Sequence, residues 1–126
     1  MQPELTITYR NVDELIPYGK NARTHSTEQI KALAEAIANF GWTMPILINR
    51  EGGILSGHGR LEAARLLGMT EVPTIQMDHL TPQQQRAFVL AENKLHERSC
   101  WDKQLLVAEL KELKSLGVDL STNGFD

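Results

Sequence analysis

A capped helical stripe that runs straight into an apolar strand sets the class of fold open to this chain. Ser26 and Gln29 have the spacing of a capping box, in which each side chain satisfies the other residue's backbone N–H. Ile30, Leu33, Ala34, Ile37 and Ala38 follow at helical intervals. Gly41 stands where a left-handed residue closes a helix. Pro45 to Asn49 then reads as a buried strand, because Ile46, Leu47 and Ile48 are consecutive and apolar. A helix with one apolar face beside such a strand buries that face on a sheet.

The other elements agree. Leu5 to Tyr9 alternates Thr with apolar residues and is predicted as a strand. Val12 to Ile16 is one helical turn, and Pro17, Gly19 and Asn21 mark an irregular loop. Glu51-Gly52-Gly53 is a turn, so Ile54-Leu55 returns as a hairpin partner of the preceding strand. Leu61 to Leu67 is a helix closed by Gly68. Val72 to Met77 is a strand, with Pro73 favouring its edge or start. Thr81 caps the next helix, Pro82 fills its first turn, Gln84 completes a second capping box, and the helix runs to about His96. Asp102 caps a last helix with Leu105, Leu106, Leu110 and Leu113 on its inner face and Gly117 at its end. Val118 to Asp126 carries no helical pattern. The order β-α-β-β-α-β-α-α describes a small α/β (α+β) domain, a mixed sheet with helices, with two terminal helices packed at one side.

Composition narrows the function. The length of 126 residues suits one domain, over 1–117, with 118–126 as a tail or linker. The single cysteine, Cys100, cannot form an internal disulfide, and no signal-peptide pattern opens the chain, so the expected compartment is the cytoplasm. Cys100 beside Trp101 is expected to be half-buried packing. No apolar run approaches the ~20 residues that span a bilayer, so no membrane partner is expected. Thirteen basic side chains against 16 acidic ones leave a net charge of −3, and neither half of the chain has a basic excess. Duplex-DNA binding draws most of its non-specific affinity from phosphate neutralisation. An anion site in this chain is therefore local and built from few groups.

Three stretches carry groups suited to such a site. Ser56-Gly57-His58-Gly59-Arg60 lies between a strand and a helix. First-turn N–H groups and the helix dipole favour anions there, glycines permit close approach, and Arg60 can bond phosphate through two N–H groups. The stretch lacks the Gly-Lys-Ser/Thr of a P-loop and the third glycine of a dinucleotide fingerprint. A plain glycine turn with a solvated Arg60 is the competing reading. Glu92-Asn93 offers a carboxylate and a carboxamide, oxygen donors suited to Mg²⁺ and phosphate. An exposed helix face shared with His96 and Glu97 competes with that. Arg23, in Asn21-Ala22-Arg23-Thr24-His25, is a third anion contact, or part of a loop that packs across the sheet. The four histidines are scattered without metal-ligand spacing, so no zinc site is expected.

These residues, in this order, resemble the ParB/sulfiredoxin superfamily. More closely, they resemble the ParB-like N-terminal (ParB-like nuclease) domains of phage and bacterial DNA methyltransferases. Asn21-Ala22-Arg23 is similar to the family's Asn-Pro-Arg. The helix ending in Asn39-Phe40-Gly41, followed by Met44-Pro45-Ile46-Leu47-Ile48, resembles its helix, glycine, Gln-Pro-Ile and strand unit. Ile54 to Ala64 resembles its Gly-Glu-Arg-Arg box, and Glu92-Asn93 its Glu-Asn pair. The chain departs from ParB at His58, where the box has Glu, at Gly59, where it has Arg, and at Glu62 and His96, where arginines are usual.

The resemblance implies a domain that binds a nucleoside triphosphate with Mg²⁺. Gly57, His58, Gly59, Arg60, Arg23 and Asn93 would stand at the phosphates, with Glu92 at the metal. It implies an association with DNA through an attached or partner enzyme, a methyltransferase above all, and it admits a homodimer. The tail from Gly117 to Asp126 resembles the linker that leaves this domain in such methyltransferases, so a further domain is expected beyond it. No methyltransferase motif lies within the chain. Sulfiredoxin chemistry is rejected, because His58 stands where that enzyme has its catalytic cysteine. The competing function classes are an NTPase or kinase of the same superfamily, with His58 or Glu92 as base, and a DNA-binding partition or nuclease domain. No carboxylate cluster of the kind a metal nuclease needs is visible.

Overall fold

The computed structural model describes residues 3–17, 25–97, 100–123 and 125. Its elements follow the predicted order: β1 (Ile7–Asn11), a 3₁₀ turn (Val12–Glu14), α1 (Thr27–Phe40), β2 (Ile46–Ile48), β3 (Ile54–Ser56), α2 (His58–Leu66), β4 (Glu71–Gln76), α3 (Pro82–Glu97), α4 (Lys103–Ser115) and a 3₁₀ turn (Leu120–Asn123). The strands form one mixed sheet in the order β1-β4-β2-β3. β4 runs antiparallel to β1 and parallel to β2, and β2 with β3 makes an antiparallel hairpin.

Local chemistry explains the element ends. All three expected helix caps form. Ser26 and Gln29 bond each other's backbone N–H, Thr81 and Gln84 do the same, and Asp102 accepts from the N–H groups of Gln104 and Leu105. The hairpin turn is held by the Asn49 side chain, whose Oδ1 accepts from the N–H groups of Glu51 and Gly53. Ile46, Ile48, Ile54 and Val72 project from the sheet into a core with Leu61 and Ala64 of α2 and with Val12 and Leu15. α1 packs beside α2. On the reverse side α3 packs against β3, where Leu55 and Val89 are buried.

Three expectations need correction. β4 is not an edge strand, yet Pro73 sits in it, opposite Tyr9 of β1. The parallel ladder with β2 begins one residue later, at Thr74, so pairing with β2 starts beyond the residue that lacks an N–H. α4 does not seat Leu105 inward: that side chain is 69% exposed, while Leu106, Leu110 and Leu113 are only half-buried. The helix contacts the Leu120–Asn123 turn, which packs against α1, so the segment without a helical pattern ties α4 to the body. Cys100 is exposed rather than half-buried.

Candidate functional site

The hairpin strand β3 ends at Ser56 and the chain turns into α2 through a single residue, Gly57. Gly57 is the N-cap of α2, with φ +108° and ψ +24°, in the left-handed region that costs other L-residues about 1–2 kcal/mol. A Cβ there would also lie 3.1 Å from Cγ1 of Ile46 and 3.4 Å from its Cα. Both constraints demand glycine. They also bring α2's first turn up against β2. The helix starts at His58, three residues before the predicted start, so His58, Gly59 and Arg60 form its first turn. A glycine in a first turn reads as loop in the sequence. Here Gly59 is buried, and a Cβ on it would lie 3.3–3.4 Å from three atoms of the His25 ring.

This turn is the floor of a cleft of about 200 Å³, room for more than one ordered water. Gly57, His58, Gly59 and Arg60 line it from α2, and Val89, Glu92, Asn93 and His96 line it from α3. The last four recur at i, i+3, i+4 and i+7, one stripe of a helix. Neighbours such as Glu92 and Asn93 diverge by about 100° around a helix, which argues against a shared target. The cleft wall is broad enough to take both, and both are half-buried. The exposed-face reading of this pair therefore fails. His96 is at the rim, with Nε2 3.9 Å from Oε1 of Glu92. Arg60 is half-buried, with Nη2 3.3 Å from Sδ of Met44. Burial lowers the pKa of its guanidinium. Arg23 lies outside the described residues. Sequence reasoning missed His25 as a lining residue. The signal available was its place immediately before the Ser26 cap, which fixes it to the start of α1.

His58 titrates below its ordinary value of 6.5, first because it is buried and then because of the neighbouring charge of His25, with Glu62 opposing both. Its folded form therefore binds a proton less readily than the unfolded chain. The stability this contributes is present above about pH 6.5 and lost as pH falls below it. Urea midpoints of the ligand-free protein should fall from neutral pH into mildly acidic pH, and His58→Asn should flatten that fall. An equal fall in the variant would place its source elsewhere.

Comparison with known proteins places this geometry. The sequence profile of the ParB N-terminal domain family matches residues 2–94. The chain belongs to the ParB N-terminal domain family. It is 51% identical over 86 residues to YnaK of Escherichia coli K12, called a ParB-like nuclease domain-containing protein, covering 68% of this chain and 99% of the relative. The fold is that of the chromosome-partitioning protein ParB from Caulobacter crescentus, solved in complex with CTP-γ-S (TM-score 0.77, 20% identity, 93% of this chain and 68% of that one). It is also that of sulfiredoxin from Arabidopsis thaliana (TM-score 0.56, 20% identity, 67% of this chain and 97% of that one). Among the described residues no helix is long and apolar enough to cross a membrane.

Proposed function

We propose that this ParB-family domain binds a nucleoside triphosphate in the cleft between α2 and α3, with the phosphates on the first turn of α2. The observation that carries the reading is the convergence of Gly57, His58, Gly59 and Arg60 with Asn93 and Glu92 on one cavity. A family fold that holds a CTP analogue in the Caulobacter protein supports it. Helix N-termini attract anions through their first-turn N–H groups and dipole, and Arg60 adds a charge-assisted bond. Arg23 belongs to the same reading.

Mg²⁺ fits the donor chemistry in one way. Among the described residues there is no group of three or more metal-binding side chains that could cage an ion. Mg²⁺ is commonly held by one or two carboxylates together with substrate phosphates, and Glu92 supplies one carboxylate on the cleft wall. Without a cation, Glu92 repels phosphate, whereas the Asn93 carboxamide does not. Calorimetric titration of the four NTPs with and without Mg²⁺ tests the assignment. Glu92→Gln should reduce the dependence on magnesium, and Asn93→Ala should reduce affinity with or without it. Wild-type behaviour in both variants would remove α3 from the site.

The domain's role is to regulate or position a DNA-modifying enzyme, a methyltransferase in the same or a partner chain. Contact with DNA would come through that enzyme, and self-association would be as a homodimer. The net charge of −3 favours this over a stand-alone partition or nuclease role. The chain alone should bind duplex DNA no more tightly than ~10⁻⁴–10⁻⁶ M at physiological salt, with a shallow salt slope. Tight sequence-specific shifts by this chain in a gel assay would favour the partition reading.

A further inference from the structure

The nucleotide reading leaves unexplained why His25, a residue outside both helices of the cleft, lies over the glycine in α2's first turn. The contact is specific in shape. An ideal Cβ on Gly59 would be 3.3 Å from Cε1, 3.3 Å from Nε2 and 3.4 Å from Nδ1 of His25. An edge-on ring would hold Cε1 well inside its two nitrogens. Equal distances mean that Gly59 faces the flat of the ring. The imidazole thus lies with its face on the helix start and is among the residues that line the cleft. Glycine disfavours a helix, and Gly59 is buried. The volume its missing side chain releases is the volume the ring faces.

Charge gives the arrangement a use. Among the described lining residues Arg60 is the one permanent cation, and Glu92 opposes it from α3. Glu62 stands in α2 behind His58 and raises that residue's affinity for a proton, while His25 lowers it. His96 faces the cleft from α3 with Nε2 3.9 Å from Oε1 of Glu92, so a proton on it would be set against that carboxylate first. With neutral imidazoles the side-chain charges of Arg60 and Glu92 offset each other, and the first-turn N–H groups of α2 are left as the cleft's remaining attraction for an anion. The ring over the helix N-terminus is the group best placed to add to it.

We propose that His25 is an anion-contacting residue of this cleft, seated by Gly59, which gives ligand affinity a histidine-dependent pH profile. This rests on the phosphate assignment above and extends it to a residue on a third element. An anion between His25 and His58 would also relieve the repulsion between their charged forms.

The test compares tripolyphosphate and CTP as ligands of the full chain, on either side of the ordinary histidine pKa of about 6.5. Protonation of the ligands is common to every variant and cancels in the comparison. Wild type should gain affinity on acidification relative to His25→Gln by roughly tenfold, the scale of one charge-assisted hydrogen bond. His25→Lys should raise affinity at the higher pH and flatten the profile. Gly59→Ala should reduce the His25-dependent gain in part, because its Cβ presses on the ring face at 3.3–3.4 Å, with thermal melts confirming that each variant folds. A His25→Gln profile that superimposes on wild type, or a His25→Lys variant with no gain at higher pH, overturns the proposal even if CTP binds. The opposite pattern, His25-dependent tripolyphosphate binding with no preference for CTP or for any of the other three NTPs, upholds His25 and overturns the nucleotide reading. Binding of neither ligand at either pH overturns both.

Discussion

Replacing Arg60 with alanine is expected to weaken nucleotide binding by about 1.5–3 kcal/mol, roughly a ten- to hundredfold rise in Kd. The expectation follows from position. Arg60 is in the first turn of α2, half-buried, with its guanidinium against the Met44 thioether. Its charge is therefore partly desolvated before any ligand arrives. A phosphate accepting two parallel N–H groups would compensate that cost. Arg60→Lys keeps the charge but loses the fork, so it should fall between wild type and alanine. Titration calorimetry reads all three. Equal affinities for wild type and Arg60→Ala would remove Arg60 from the site.

Gly57→Ala should be the most damaging single methyl addition in the site region. The left-handed backbone at φ +108° costs about 1–2 kcal/mol for an L-residue. The new Cβ would also press on Ile46, a fully buried core residue, at 3.1 Å from Cγ1. The combined loss of unfolding free energy should exceed about 2 kcal/mol and appear as a lower urea midpoint with an unchanged slope. Nucleotide affinity should fall with it, because relief of the clash shifts α2's first turn away from β2. Gly68→Ala is the control for backbone strain alone. Gly68 has φ +72° but nothing within 4 Å of its Cβ, so it should lose less stability and no affinity. A Gly57→Ala protein as stable as wild type would show that the junction can relax without cost.

The caps, the hairpin and the element order were legible because each depends on residues a few positions apart. Ser26 with Gln29, Thr81 with Gln84, and Asp102 with the next two N–H groups are local chemistry. What was illegible depends on contacts across the fold. Gly59 looks like loop until His25, far away in sequence, is seen facing it. Pro73 reads as an edge or strand-start residue, and only the sheet order shows that β4 is internal with its β2 ladder starting just after it, at Thr74. Leu105 belongs to an apolar pattern that α4 has too little neighbouring surface to bury. Glu92 and Asn93 diverge on a helix wheel, and only the breadth of the cleft lets both line it. The glycine-arginine stretch was the strongest local pointer to the site, and its neighbours across the cleft came from the family resemblance rather than from periodicity.

The most direct measurement is an amide NMR titration of the whole chain with each NTP and Mg²⁺. A phosphate chain on the first turn of α2 should move the N–H resonances of His58, Gly59 and Arg60 first and furthest, together with the Asn93 side-chain amide. The same ligand at 100 times its Kd should add about 2.7 kcal/mol of stability. Saturable shifts confined to a different face, or none for any of the four nucleotides, would contradict a phosphate site at Gly57 to Arg60.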